Sequence, residues 1–258
     1  MNVLVTGASS GIGAGLARGF AADGHTVGIC ARREDRLREV LADCGPDARM
    51  WVVDLADLDT VADWARQADD ELGGIDLLVN NAGIPKRRHS LQLTPEVVEE
   101  VMAINYASPV RLTLALLPRM LARGHGTILT ISSVAARFGP PREAAYSASK
   151  AALSAFMESL AVDLDGTDIR IHLVNPGIID TELFHLPDNE PSLGDLEALP
   201  VEALVDAVKQ QLADNTFEIY VPDWLHPIAS NRYADLGPFI EGSKAYTRER
   251  VKQMEEQV

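Results

Sequence analysis

The chain has 258 residues, 47% of them apolar and 24% charged, a globular composition that excludes a disordered or collagen-like polypeptide. Its length suits one large α/β domain over residues 1–258, with a core that needs no disulfide staples. The net charge of −15 argues against nucleic-acid binding and against docking on anionic lipid.

Short β-branched runs alternate with helical periodicity along the chain. Strands are expected at Asn2–Thr6, Thr26–Cys30, Arg49–Val53, Asp76–Val79, Thr127–Ser132, Arg170–Val174 and Glu218–Val221. Helices are expected between them at Ile12–Ala22, Arg33–Ala42, Leu58–Glu71, Pro95–Ala122, Glu143–Leu164 and Val201–Ala213. Such alternation predicts a parallel sheet covered on both faces, with right-handed crossovers. Two stretches break the rhythm. Residues 182–200 are rich in proline and acids and read as a mobile loop with room for a short helix. Residues 222–258 follow the last strand and end in YTRERVKQMEEQ, which reads as a solvated amphipathic helix.

Cys30 and Cys44 are too few for a disulfide framework, and Cys30, inside TVGIC, reads as a buried small residue. The six histidines show no metal-ligand spacing, so no metal is expected. No apolar run is long enough to span a membrane, and Met1–Ala17 lacks the basic start and apolar centre of a signal peptide. The expected compartment is the cytoplasm.

The first strand runs directly into Thr6-Gly7-Ala8-Ser9-Ser10-Gly11-Ile12-Gly13. Glycines between a strand and a helix let backbone approach a pyrophosphate, whose charge the helix N-terminus then stabilises. The plain alternative is a tight turn that uses glycine for geometry only. In a dinucleotide fold an acid about 20 residues further on grips the ribose 2′-hydroxyl. Here the second strand ends Cys30-Ala31-Arg32-Arg33 instead. A guanidinium can pair bidentately with a 2′-phosphate, which favours NADP over NAD. The larger share falls on Arg32, with Arg33 turned to solvent. The alternative is that both are exposed residues at a helix start, where an acid would suit the dipole better.

Tyr146 and Lys150 stand four apart in AAYSASKAAL, one turn apart on a helical face. An ammonium beside the phenol is expected to lower its pKa and fit it to pass a proton to or from a carbonyl/alcohol pair. Ser132 and Ser133 close the strand TILTISS, Asn80-Asn81-Ala82-Gly83 closes DLLV, and Asn175-Pro176-Gly177 closes RIHLV. Each could be loop punctuation, but all fall at strand C-termini, where such sheets bind ligands.

With TGASSGIG at 6–13, Asp54 after the third strand, NNAG at 80–83, Asn105, Ser133, Tyr146, Lys150, and Pro176-Gly177 followed by Thr181, residues 1 to about 222 resemble the classical short-chain dehydrogenases/reductases. The resemblance implies a Rossmann-type, doubly wound, parallel seven-stranded sheet. It implies that Gly7, Ser9, Ser10, Ile12 and Gly13 line the adenosine and pyrophosphate of NADP, with Arg32 at the basic position of NADP-preferring members. Asp54 and Leu55 would meet the adenine. Asn81, Ala82 and Gly83 would lie along the nicotinamide ribose. Pro176, Gly177, Ile178 and Thr181 would hold the carboxamide and phosphate end. Ser133 would hydrogen-bond the substrate oxygen and Tyr146 would pass the proton. Lys150 would hold the ribose and tune Tyr146, and Asn105 would anchor a proton-relay water. A homodimer or homotetramer through the helices near 95–122 and 143–164 is implied as well.

The expected activity is interconversion of a ketone or aldehyde and its alcohol. The rivals are an NAD-dependent alcohol dehydrogenase of the same family, a silent nucleotide sensor and a methyltransferase; neither of the last two needs Ser133, Tyr146 and Lys150 together. Residues 84–94, the Ser133–Tyr146 connection and the loop 182–200 are expected to frame the substrate pocket. Lys86, Arg87, Arg88, Arg137 and Arg142 fall there, as ordinary surface charge or as a sign of an anionic substrate.

Overall fold

The structure is a computed structural model that describes residues 1–194 and 196–256. In chain order the elements are β1 (Asn2–Thr6), α1 (Gly11–Ala22), β2 (Thr26–Ala31), α2 (Glu34–Ala42), β3 (Arg49–Val52), α3 (Leu58–Leu72), β4 (Leu77–Asn80), α4 (Pro95–Met102), α5 (Ser108–Arg123), β5 (Gly126–Ile131), α6 (Ala135–Phe138), α7 (Ala144–Asp163), β6 (Ile169–Pro176), α8 (Val201–Asp214), β7 (Glu218–Val221), α9 (Leu225–Ala234) and α10 (Leu236–Glu256). Seven strands form one parallel sheet in the order β3-β2-β1-β4-β5-β6-β7. The order reverses direction between β1 and β4, and a ligand crevice opens at such a switch point.

Alternation along β1 divides the core. Val3 and Val5 face one layer with Leu16, Phe20, Leu204 and Val208 of α1 and α8. Leu4 faces the other with Leu112, Leu116, Leu153 and Met157 of α5 and α7. Both faces of the strand are buried, as a central parallel strand requires. Cys30 is fully buried in β2, and burial pushes its thiol up to about 12. No helix of the described residues is long and apolar enough to cross a membrane.

Two sequence expectations are corrected here. The helix expected over Pro95–Ala122 is two helices joined by a π-helical turn at Ala103–Ala107. Pro109 accounts for the break: it has no N–H to donate to the carbonyl four residues back, that of Asn105, and its ring crowds that carbonyl. Ser108 N–H bonds instead to the carbonyl of Ala103, five residues back. The C-terminal segment is two helices, not one, and it is not merely solvated. Phe239, Gly242, Ser243 and Tyr246 of α10 repeat at helical spacing and line a cavity over the C-terminal edge of the sheet.

Candidate active site

That cavity has a volume of about 1030 Å³ and runs from the glycine-rich turn, past the ends of β4, β5 and β6, to α9 and α10. The turn after β1 shapes its first end. Gly7 and Gly11 adopt φ of +66° and +54°, and a Cβ on Gly7 would lie 2.7 Å from Ala82 Cα. Only glycine fits there. A Cβ on Gly13 would meet Asn81 Nδ2 at 2.5 Å. Thr6 locks this crossing: its hydroxyl donates to the Val79 carbonyl and accepts from the N–H groups of Asn81 and Ala82. Ser10 precedes α1 without a side-chain cap, and the first turn of α1 carries no acid. The helix N-terminus is therefore left for an external anion.

Gly7, Ser9, Ser10, Ile12, Gly13, Arg32, Arg33, Asp54 and Leu55 line this end of the cavity. Asp54 Oδ1 accepts from the Ala56 N–H at 3.0 Å, which closes the turn after β3. Arg32 is exposed and has no hydrogen bond or ion pair among the described residues. Arg33 does not turn to solvent as expected. It donates to Ser9 Oγ and, at 2.7 Å, to Ser10 Oγ, and it pairs with Glu182.

At the centre, Asn81, Ala82, Gly83, Ser133, Tyr146, Lys150, Pro176, Gly177, Ile178 and Thr181 line the cavity. Ser133 and Tyr146 share a hydrogen bond, and Ser133 Oγ also accepts from the Ala135 N–H. Ser132 points away and bonds Ser154 in the core at 2.7 Å. Lys150 Nζ is 5.9 Å from the Tyr146 ring centre and donates to the Ile131 carbonyl at 2.9 Å.

The electrostatics overturn one expectation. Burial pushes the Tyr146 phenol up to about 12, and the negative charge of Glu143 adds to that; the Ser133 hydrogen bond and Arg87 only partly oppose it. The phenol is raised, not lowered, because desolvation of a phenolate outweighs the attractions around it. Burial pushes Lys150 down to about 8. Lys150 is 4% exposed, and its ammonium has one protein acceptor among the described residues. An ammonium has three donors, so this one suits a ligand rich in hydroxyl groups, such as a ribose. With the glycine turn and the uncapped helix, the residues fit a dinucleotide.

Asn105 does not line the cavity; it stands behind Gly83. Its side chain is consumed by Ile84, through Oδ1 from the N–H and Nδ2 to the carbonyl, and by Ser149 Oγ. A Cβ on Gly83 would lie 3.2 Å from Asn105 Oδ1 and 3.5 Å from Lys150 Nζ. The π-helical turn deprives the Asn105 backbone carbonyl of its α-helical donor, which leaves backbone, not side chain, as the group suited to a water.

Described residues of the loop 182–200, Phe184, Leu186 and Leu193 among them, line the cavity, and four of the five cations expected near the mouth are spent on that loop. Lys86 pairs with Asp188 at 2.9 Å, and Arg142 with Glu190 at 3.1 Å. Arg87 donates to the carbonyls of Glu190 and Phe184 and lies over the Phe184 ring; Arg88 donates to the Asp188 carbonyl. Arg137 binds Glu158 and Glu218. These cations are structural pins, neither free surface charge nor an open anion site. Glu143, Glu182 and the apolar face of α10 were missed by sequence reasoning. The i, i+3, i+4, i+7 spacing of Phe239, Gly242, Ser243 and Tyr246 was the available signal for α10; a lone acid carries none.

A family model described as short chain dehydrogenase matches residues 1–190. A dehydrogenase/reductase SDR family protein 7-like of Anopheles gambiae is 40% identical over 189 residues, covering 70% of this chain and 60% of its own. The chain thus spans about three fifths of that relative's length. A short-chain dehydrogenase from Streptomyces avermitilis superposes with a TM-score of 0.81 at 28% identity, covering 95% of this chain and 97% of its own. One from Sphingobium yanoikuyae, solved in complex with NADPH, superposes with a TM-score of 0.78 at 29% identity, covering 91% and 95%. With a family model matched over most of its length and the fold shared nearly end to end, the chain belongs to the short-chain dehydrogenase family.

Proposed function

We propose that this protein is an NADP(H)-dependent oxidoreductase that interconverts a ketone or aldehyde and the corresponding alcohol, with residues 1–258 acting as one domain. The observation that carries the reading is the convergence of Ser133, Tyr146 and Lys150 beside a glycine-rich turn in one cavity. Gly7, Ser9, Ser10, Ile12 and Gly13 would hold the pyrophosphate side of the cofactor, Asp54 and Leu55 the adenine, and Asn81 to Gly83 the ribose beside Lys150. Pro176, Gly177, Ile178 and Thr181 would hold the nicotinamide end. When bound, the cofactor supplies or accepts the hydride. With a phenol pKa near 12, Tyr146 is protonated at neutral pH and serves as the acid toward a carbonyl oxygen during reduction. Ser133, with one O–H, donates either to that same oxygen or to the phenolate left behind. Lys150 stabilises the phenolate, and a water near the Asn105 carbonyl replenishes the proton.

NADP is preferred to NAD because Arg32, unpaired in the cleft, offers a 2′-phosphate a charge-assisted bond worth about 1.5–3 kcal/mol. The NADPH in the Sphingobium relative supports the same choice. We place the protein in the cytoplasm, which suits its two free cysteines. We assign a homodimer or homotetramer, supported by the exposed Leu114 and Leu121 on one face of α5. The test is absorbance at 340 nm with NADPH or NADH and a panel of ketones, aldehydes and alcohols. Turnover with NADPH is expected; binding without turnover across the panel would leave a nucleotide sensor.

A further inference from the structure

Glu143 stands immediately before α7, three residues ahead of Tyr146. Both line the same cavity. An acid at this position ordinarily caps the helix or faces water near its positive end. Glu143 does neither: its side chain makes no capping bond, and no hydrogen bond holds its carboxyl group among the described residues. Arg87 acts on it electrostatically, with no hydrogen bond between them among the described residues; its Nε and Nη2 are held by the Glu190 and Phe184 carbonyls. The cavity they line is mostly apolar, with Phe138, Leu193, Trp224 and Phe239 among its walls. Half-buried, with no hydrogen-bond partner among the described residues, the carboxyl is left to face whatever occupies the cavity.

We propose that Glu143 is a specificity-determining residue whose carboxyl group hydrogen-bonds a second oxygen, a carbonyl or hydroxyl, on a bulky apolar ketone or alcohol whose first oxygen meets Tyr146. The proposal rests on the oxidoreductase reading above and names its substrate class. Charge selects the neutral partner. The buried Arg87 repels a cation, and the carboxylate form of Glu143 repels an anion. Burial raises the Glu143 carboxyl to about 7, so at neutral pH it is available both as donor to a carbonyl and as acceptor from a hydroxyl.

The experiment compares 1-decalone with decalin-1,5-dione, which share a skeleton and differ by one oxygen, using the full-length protein and NADPH. Wild-type protein is expected to favour the dione at least tenfold in kcat/KM. Glu143→Leu and Glu143→Ala should each bring that ratio close to the factor of about two that the dione's two equivalent carbonyls give by themselves, while Glu143→Gln, which still donates and accepts, keeps most of it. An unselective wild type, or a ratio untouched by Leu and Ala, would overturn the proposal. A preference for the amino ketone 3-quinuclidinone that Gln abolishes would overturn it too, in favour of a cation site. Circular dichroism identifies a variant that does not fold, and the other then carries the comparison. If no carbonyl or alcohol turns over, the oxidoreductase reading fails separately. The same ligand ratio, read as dissociation constants from quenching of tryptophan fluorescence, then decides the role of Glu143.

Discussion

Arg33 and Glu182 form an ion pair at 3.1 Å across the mouth of the cofactor cleft, although 149 residues separate them. The same guanidinium holds both serines of the glycine-rich turn. It therefore clasps the loop after β6 to the turn after β1, while Arg32 beside it has no partner among the described residues.

This division of labour separates the two arginines in cofactor kinetics. Arg32→Ala should raise KM for NADPH at least tenfold and leave that for NADH nearly unchanged, since only NADPH carries the phosphate. A charge-assisted bond of about 1.5–3 kcal/mol corresponds to roughly one to two decades in affinity. Arg33→Ala and Glu182→Gln should instead shift both cofactors in parallel, because they loosen the clasp. A wild-type preference for NADH would reject the NADP assignment.

Tyr146→Phe should lower kcat by about two to four decades, the usual loss of general acid–base catalysis. The ring and its packing remain, so NADPH binding by fluorescence titration should persist. Near-normal turnover would reject Tyr146 as the proton carrier.

Lys150→Met separates stability from activity. The buried amine has its pKa lowered from 10.5 to about 8. The unfolded chain therefore binds more protons between those values, and the Lys150 contribution to stability rises with pH across that window. Below pH 8 the folded state carries the full penalty, about 3 kcal/mol at 1.36 kcal/mol per pKa unit. Loss of the bond to the Ile131 carbonyl offsets about 1 kcal/mol of the gain. Ligand-free Lys150→Met should thus be more stable than wild type at pH 7 by about 2 kcal/mol and lose that advantage as pH rises from 8 to 10.5. Turnover should be abolished. Chemical denaturation at several pH values checks the sign.

Asp188 joins the loop 182–200 to Lys86 and Arg88. Asp188→Asn should speed limited proteolysis within the loop severalfold in ligand-free protein, and NADPH with product should slow it in both forms. Each exposed pair is worth only about 0–1 kcal/mol, so the fold itself should stand. Equal cleavage with and without ligands would reject closure over the cofactor.

Leu114 and Leu121 are seven apart on α5 and 52% and 42% exposed. If they face a second copy, the double variant Leu114→Glu with Leu121→Glu should be monomeric by light scattering while wild type is a dimer or tetramer. A monomeric wild type at micromolar concentration would reject the assembly.

Periodicity carried most of the fold because it is a local property. The seven strands fall within about two residues of their expected bounds, since the central strands, buried on both faces, need an unbroken apolar run and the intervening helices need a 3.6-residue stripe. The glycine spacing and the Tyr146–Lys150 pair were legible for the same reason: each is fixed by a few adjacent backbone positions. The π-helical turn at Asn105 was written in Pro109, four residues on, but a helical stripe tolerates one extra residue, so the stripe alone concealed it.

What required the tertiary structure depended on groups distant in sequence. The direction of the Tyr146 shift was misjudged because the adjacent Lys150 is visible in the sequence and the burial of both is not. The cations of residues 86–88 and 142 acquired a role only when the loop after β6 brought Asp188 and Glu190 to them. Arg33 likewise needed Glu182, and the C-terminal extension needed the cavity that α10 covers. Local patterns determine backbone geometry through short-range sterics and hydrogen bonds. Desolvation and ion pairing depend on which surfaces the folded chain brings together, and for this protein those terms decide how its site is closed and charged.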